Sequence, residues 1–434
     1  MTNPLVAKTI HIVGAGFSGL TAAYYLVKAG SDVKIEVYER AKIPGGILQT
    51  LHTPYGMIET AANAFLNSPE LESLCADIGL TLLSTQPAAR ARFIFRGRPR
   101  RFPIRFTELL RFAQFIWRLI FARATLAPRN FESIRQWGTR NLSKQLSFFS
   151  VETALQGIYA GAPEKLSATL ILSRFFPKSE KAKLKSKVKY QKGSRAPQGG
   201  MSELNEKLVA FLKAKGVQFY FQHPYHYRLT SEIPVVFALP AFETAKLLEN
   251  DEPQLCQSLK NIEYLPVITA NVFFKQEVDQ LKGFGCLFPP EENNLILGVL
   301  FNQCIFSGRV QNAISENWIL GGARVQNLAA FLALSDDAIQ KLILEKRKHM
   351  VPGQCPAQTS DILMIQITRW EKAFPHYTTR LEQTLEELRP VQKNIFLHGN
   401  YLGQLGLTRL LGQSEMIAKQ ILQELNECKK PESF

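Results

Sequence analysis

Three glycines near the N-terminus, Gly14, Gly16 and Gly19 in GAGFSG, have the spacing that holds a pyrophosphate. Gly14 suits the tight turn, Gly16 lets the backbone approach the phosphates, and Gly19 allows close helix packing. Before them, Thr9–Val13 is a β-branched run that reads as a buried parallel strand; after them, LTAAYYLVKA reads as a helix ending at Gly30. The turn residues Ala15, Phe17 and Ser18 complete a helix N-terminus whose unpaired N–H groups and positive dipole end attract anions. A second strand, Val33–Tyr38, ends at Glu39, which is placed to accept hydrogen bonds from ribose hydroxyls. Soon after Glu39-Arg40 a second glycine pair, Gly45-Gly46, brings another backbone segment to the ligand. That arrangement suits an extended FAD better than a nicotinamide dinucleotide.

The elements that must carry this cradle run the length of the chain. At 434 residues the protein exceeds one ordinary domain, and a typical domain of ~150 residues predicts about three. Its 46% hydrophobic and 21% charged residues exclude global disorder. No stretch approaches the ~20 apolar residues of a membrane span, and the start lacks the charged-then-apolar order of a signal peptide. The six cysteines form no CxxC pair, which argues against a structural zinc site and fits a reducing cytoplasm. A helix is predicted over SELNEKLVAFLKA after Gly199-Gly200-Met201, with strands over 217–221, 235–239, 263–275 and 295–301. Helices are predicted near 325–350 and 380–389, then a strand in Asn394–Asn400 and a closing helix over Ser414–Cys428. A final strand, turn and helix would complete the dinucleotide domain from the far terminus, so that domain is expected to be discontinuous.

Charge is the remaining oddity: 52 Lys+Arg against 37 Asp+Glu, formally +15, predicts an anionic partner. Nine arginines fall between Arg90 and Arg118 against one acid, Glu108. Within ELLRFAQFIWRLIFARA, helical spacing puts Glu108, Arg111, Gln114 and Arg118 on one face. Leu109, Phe112, Phe115, Ile116, Leu119 and Ile120 make a broad apolar one. Such a helix either lies in a membrane interface or packs into the core with its arginines solvated. The lysine run Lys178–Lys192 reads as a solvated loop that anionic lipid would attract. No nucleic-acid-binding signature accompanies the charge. The seven histidines show no ligand spacing, so no metal is expected, and His223 and His226 read as ordinary loop residues.

Further segments sharpen the reading. GIYAGAPEKLS (Gly157–Ser167), QGGMSEL (Gln198–Leu204), GFGCLFP (Gly283–Pro289) with LGVLFNQCIFSGR (Leu297–Arg309), and GGAR (Gly321–Arg324) resemble segments of the protoporphyrinogen oxidase family in the family's order. WEKAFPHY (Trp370–Tyr377) and GNYLGQLGL (Gly399–Leu407) extend the resemblance from residue 10 to about 412. It includes the coproporphyrinogen-oxidising relatives and lies within the flavin amine oxidase superfamily. Departures are Ala162 where the family has Asp, His376 where it has Gln, Thr60-Ala61-Ala62-Asn63 where Gly-Pro is usual, and Thr408-Arg409 where an acid is common.

The resemblance implies an α/β chain with a discontinuous Rossmann-like FAD-binding domain over 1–65, 198–250 and 390–434. A mixed-sheet substrate domain would take 66–92 and 251–389, and an α-helical, basic, membrane-associating subdomain 93–197. It implies FAD as cofactor, held by Gly14, Ala15, Gly16, Phe17, Ser18, Gly19, Glu39, Arg40, Gly45, Gly46, Trp370, Gly399, Asn400, Gly406 and Leu407. The activity implied is oxidation of a porphyrinogen in haem biosynthesis by three two-electron transfers, with dioxygen reoxidising the flavin to give hydrogen peroxide. The flavin carries that chemistry, so no catalytic side chain is expected. Arg92 would bind the substrate carboxylate, Leu287 and Phe301 would wall its ring, and Gly157 and Gly161 would let it approach. The expected location is cytoplasmic, peripheral on the inner face of the cell membrane, with homodimer formation the other use of the basic helix. Rival expectations are a flavin amine oxidase or carotenoid-type desaturase, and a non-catalytic escort or GDP-dissociation-inhibitor-like protein.

Overall fold

The computed structural model describes residues 9–30, 33–101, 105–176, 190–228, 233–291, 295–351, 353, 355–388 and 394–427. The lysine run lies almost wholly outside the described residues. In chain order, β1 (Thr9–Val13) and β2 (Lys34–Glu39) flank the first helix, Phe17–Lys28. The hairpin β3 (Thr50–Thr53) and β4 (Gly56–Glu59) is followed by β5 (Phe65–Leu66), β6 (Leu82–Ser84), β7 (Arg92–Phe95) and β8 (Pro99–Arg100). After a helical stretch come β9 (Ser194–Pro197), β10 (Gln218–Phe221) and β11 (Val235–Phe237). Four longer or buried strands follow: β12 (Tyr264–Phe274), β13 (Gly285–Leu287), β14 (Ile296–Phe301) and β15 (Ile314–Gly321). The set ends with β16 (Ile362–Pro375) and β17 (Ile395–Leu397).

Two sheets organise the chain. The first has five parallel strands in the order β10-β2-β1-β11-β17, so the last strand does return to the first nucleotide-binding unit. Parallel strands bury both faces. Ile10 and Ile12 face the first helix, the helix Met201–Ala214 and the closing helix, while Val13, Val235 and Phe237 pack into the core on the other side. The second sheet has seven strands, β16-β12-β15-β14-β13-β7-β8, antiparallel except for the β13–β7 pair. Its Trp318, Val299, Cys286 and Phe93 bury one face, beneath the helix Asp336–Met350.

The closing helix spans Leu407–Glu427, two turns longer toward the N-terminus than its predicted start at Ser414. Gly412 lies inside the helix; the left-handed residue is Gly406, at φ +98°, just before the helix begins. This helix is stitched to the parallel sheet by a buried polar thread. His398, just past β17, contacts Gln413 Oε1 through Nδ1 at 3.1 Å and Ser414 Oγ through Nε2 at 2.7 Å. Ser414 Oγ in turn lies 2.7 Å from Thr21 Oγ1 on the first helix.

Burial lowers the His398 pKa to about 4, opposed only in part by the Gln413 contact. The folded protein therefore prefers neutral imidazole. In the unfolded chain the ring takes up a proton below about pH 6.5, so stability is full above that pH. It should fall by up to roughly 3 kcal/mol as the pH drops toward 4. His398→Gln should flatten the stability-versus-pH curve over that window; an unchanged slope in denaturant titrations would show that other groups set it.

Candidate functional site

The βαβ turn is built as the glycine spacing requires. Gly14 has φ +103°, and a Cβ there would stand 2.7 Å from the Ala238 carbonyl oxygen. A Cβ at Gly19 would come within 1.9 Å of the Gly14 oxygen, so helix and turn touch through backbone. Gly16 differs: nothing lies within 4 Å of where its Cβ would be. It caps the first helix, which has no side-chain cap and no acid in its first turn. Open space, free N–H groups and a positive helix end thus coincide at Gly16.

The remaining cradle closes around that point. Gly45 donates its N–H to the Ala15 oxygen at 2.8 Å, and Gly16 and Gly45 form a parallel bridge. A Cβ at Gly46 would approach only the Gly16 Cα, at 3.6 Å. Glu39 accepts from the backbone N–H of Ala15 and of Ala41, both at 2.8 Å. Its carboxylate is thereby fixed at the lip of the turn, and each oxygen keeps a lone pair for a hydroxyl donor. Arg40 is largely exposed and pairs with Glu243 at 3.1 Å. Phe17 buries its ring in the core, so only its backbone and that of Ala15 and Ser18 face the cradle. Gly399 and Asn400 follow β17, two strands from β1, and the Asn400 oxygen accepts from the Tyr377 hydroxyl. Gly406, again with nothing within 4 Å of its Cβ position, opens the closing helix just before Leu407. Two helices therefore begin at open glycines, a fit for a long anionic cofactor with two polar ends.

A buried ion pair ties this cradle to the second sheet. Glu59 on β4 binds Arg309, which also donates to the Pro197 oxygen at 2.7 Å. Thr50 Oγ1 donates to the other Glu59 oxygen at 2.8 Å, and the Met201 N–H points at the same carboxylate.

Strand register decides which predicted substrate residues share a face, since side chains alternate. Arg92 pairs with Gly285, Gly285 with Leu300, Leu300 with Asn317, Asn317 with Asn271, and Asn271 with Gln366. The neighbouring row runs Ile94, Leu287, Gly298, then Ile319, Thr269 and Thr368. Trp370, opposite Val267, stands on the same side. Arg92, Leu287 and Trp370 are thus brought to one face of the sheet. Gly157 packs against it: a Cβ there would fall 2.5 Å from Leu287 Cδ2. Arg92 is exposed at its rim, its guanidinium 4.7 Å over the Phe284 ring.

Two predicted residues lie elsewhere. Phe301 pairs with Glu316 and is wholly buried on the opposite face, because it is an odd number of residues from Gly298 and Leu300 is the one that shares their side. Gly161 is pressed between Leu166 and His376 rather than facing the sheet.

The same face carries residues the sequence reading passed over. Asn271 and Asn317, 1% and 2% exposed, are cross-strand partners. Asn271 Oδ1 and Nδ2, Asn317 Oδ1 and the neighbouring Thr269 Oγ1 have no hydrogen-bond partner among the described residues. Each such buried group costs about 1–3 kcal/mol unless something satisfies it. Gln156, beside Gly157, is in the same condition at both side-chain atoms. The signal was present: an asparagine interrupts each of the apolar runs YLPVITANVFF and ISENWILG. Among the described residues no group of His, Cys, Asp and Glu could hold a metal ion. A cavity of 1120 Å³ lies elsewhere, between β17, the closing helix and the helix Thr379–Glu387.

The helix Leu109–Phe121 has no buried residue. Its Phe115 and the other half-buried side chains face the body, where Phe115 meets Trp137 edge-on. Leu110, Trp117, Ile120 and Phe121 form an outward stripe, between 57% and 72% exposed. No helix among the described residues is long and apolar enough to cross a membrane.

The chain is similar to known flavoproteins. A profile of the flavin containing amine oxidoreductase family matches residues 17–226. The chloroplastic protoporphyrinogen oxidase of Nicotiana tabacum is 24% identical, over 94% of this chain and 84% of that one. Protoporphyrinogen oxidase 2 of Arabidopsis thaliana is 23% identical, over 98% of this chain and 96% of its own. The crystal structure of cyclohexylamine oxidase from Brevibacterium oxydans IH-35A superposes with a TM-score of 0.70 at 13% identity, covering 97% of this chain and 99% of that one. That last likeness is one of fold.

Proposed function

We propose that this chain, an FAD-dependent oxidoreductase similar to the flavin containing amine oxidoreductase family, oxidises a porphyrinogen to the porphyrin in haem biosynthesis. The substrate is protoporphyrinogen IX or coproporphyrinogen III, and dioxygen is the final acceptor. The observation that supports this most is the shared sheet face: Ile94, Leu287, Leu300 and Ile319 line it, Gly157 packs against it, and Arg92 stands exposed at its rim.

Bound FAD supplies hydride acceptance, three times per substrate, and its return of electrons to dioxygen regenerates it. The chain's own residues hold and orient. The open N-terminus at Gly16 takes the pyrophosphate, Glu39 the ribose hydroxyls, and Gly45 and Gly46 the facing backbone contacts. Gly399, Asn400, Gly406 and Leu407 lie toward the ring end of the flavin, with Trp370 on the sheet face. Leu287 and Gly157 flank the macrocycle and keep water from it, with Phe301 supporting the floor from beneath and Gly161 holding the turn after Gly157. Residues 1–65, 198–250 and 390–434 form the flavin domain, 66–92 and 251–389 the substrate domain, and 93–197 the basic helical part.

Turnover of both porphyrinogens, followed by porphyrin fluorescence, tests the reading. Oxidation of a primary amine with none of either porphyrinogen would overturn it. Arg92 meets a propionate as a planar guanidinium with paired donors, which fixes orientation better than an ammonium. Arg92→Ala should raise the KM for porphyrinogen at least tenfold and leave flavin bound; an unchanged KM removes Arg92 from the site.

In this reading the outward stripe of the basic helix rests on an anionic membrane surface, at the inner face of the cell membrane. Aromatic and aliphatic exposure beside Arg111, Arg118 and Arg123 supports this. Vesicles containing anionic lipid should hold the protein at low salt and release most of it at high salt. Equal partition onto neutral vesicles, or self-association through this stripe in their absence, would exclude the electrostatic role.

A further inference from the structure

We infer that Asn271 and Asn317 are specificity-determining residues whose side-chain oxygens receive the pyrrole N–H groups of the macrocycle. The inference rests on the porphyrinogen reading above and adds to it a recognition site for the centre of the ring.

The sheet face that carries Arg92 and Leu287 is apolar at both ends. At one end Phe273 packs with Ile58 and Ala313; at the other Val267 and Leu265 pack with Ala160. Between those clusters the face turns polar, at Thr269 and at the cross-strand pair Asn271 opposite Asn317. Both are nine-tenths buried or more, and their oxygens have no partner among the described residues. The opposite face at the same positions is fully satisfied: Glu316 there binds Arg347 and the Trp318 indole. Unpaired amides buried between two apolar clusters are expected where a partner arrives with the ligand.

Spacing says which part of the ligand that is. Arg92 and Asn317 occupy one row of the sheet, separated by β13 and β14. Three strand spacings make about 14 Å between their backbones, of which the extended arginine side chain can span nearly half. A carboxylate held by the guanidinium therefore leaves the body of its ring over Gly285 and Leu300 and its centre near the two amides. A reduced tetrapyrrole carries four N–H donors at its centre, within reach of the two amide oxygens while a peripheral carboxylate meets the arginine. An amine or a carotenoid offers no such inner set of donors.

Asn271→Leu and Asn317→Leu conserve volume and remove the acceptors. The probes are protoporphyrin IX and its N-methyl derivative, titrated by fluorescence onto flavin-loaded enzyme. The wild type should bind protoporphyrin IX at least tenfold more tightly than the N-methylated ring. Each substitution should weaken protoporphyrin IX tenfold or more, and the double variant should no longer distinguish the two, with flavin content unchanged. If the leucine variants do not fold, Asn271→Ser and Asn317→Ser carry the same expectation at reduced size. Retained discrimination in the variants would overturn the inference, and so would loss of flavin in step with loss of porphyrin, since the pair would then serve the cofactor. A wild type that binds no tetrapyrrole would instead overturn the substrate reading itself.

Discussion

Gly16→Val should give a folded protein that purifies without flavin. The backbone at Gly16 has φ −75° and ψ 177°, a conformation any residue adopts, and its Cβ position meets no atom within 4 Å. A valine there strains nothing in the polypeptide, and the unfolding midpoint of the apoprotein should match that of wild-type apoprotein. What the isopropyl group does occupy is the space above the N-terminus of the first helix, where a pyrophosphate would meet the N–H groups. Losing those charge-assisted bonds should lower flavin affinity at least a hundredfold, about 2.8 kcal/mol at 1.4 kcal/mol per tenfold. Flavin absorbance per protein and circular dichroism check both halves. Gly19→Ala is the control with the opposite signature, because its Cβ would collide with the Gly14 oxygen and should cost stability as well. A yellow Gly16→Val protein would move the cofactor elsewhere.

The largest effect on stability should come from Arg309→Ala. Glu59 and Arg309 are 4% and 5% exposed, and Glu59 sits where the β3–β4 hairpin, the 201–214 helix and the second sheet meet. Removing the arginine strands a buried carboxylate, a change that costs about 3–5 kcal/mol. Against a total of about 5–15 kcal/mol that is a large share. Denaturant unfolding should show the loss with or without flavin present. Removing both charges, as Glu59→Gln with Arg309→Met, should recover more than half of it, because no unpaired charge remains. A double variant no better than the single one would mean the hydrogen bonds to Pro197 and Met201, rather than the charges, hold the junction.

How much of this was legible in the residues varies with how local the cause is. The βαβ turn was readable because its requirements are local: three glycines at fixed offsets, a strand before, a helix after and an acid at the end of β2. The return of β17 to the parallel sheet was also expected, from a strand, a turn and a helix at the end. The substrate face was not readable, because a strand's two faces are told apart only by its neighbours. Leu287 and Phe301 look alike as apolar strand residues, yet register puts them on opposite faces of the sheet. The asparagines at 271 and 317 are 46 positions apart in sequence, and nothing but β12–β15 pairing joins them. The basic helix was ambiguous between core and surface, since its apolar residues nearly encircle it. In the fold one stripe leans on the body and the other faces outward.

The thread from Thr21 to Ser414 and His398 joins groups 393 positions apart. A ribosome releases the first of them long before the second; at about 5–20 residues per second the gap is roughly 20 to 80 seconds. Throughout that interval β1, β2 and the first helix stand with one flank bare of the closing helix and of β17. Acquisition of the prosthetic group is therefore expected to come late, once β17 and the closing helix have packed, and a ligand that binds only that form should pull maturation forward. A nascent chain arrested before residue 395 should hold no flavin, however complete its glycine signature.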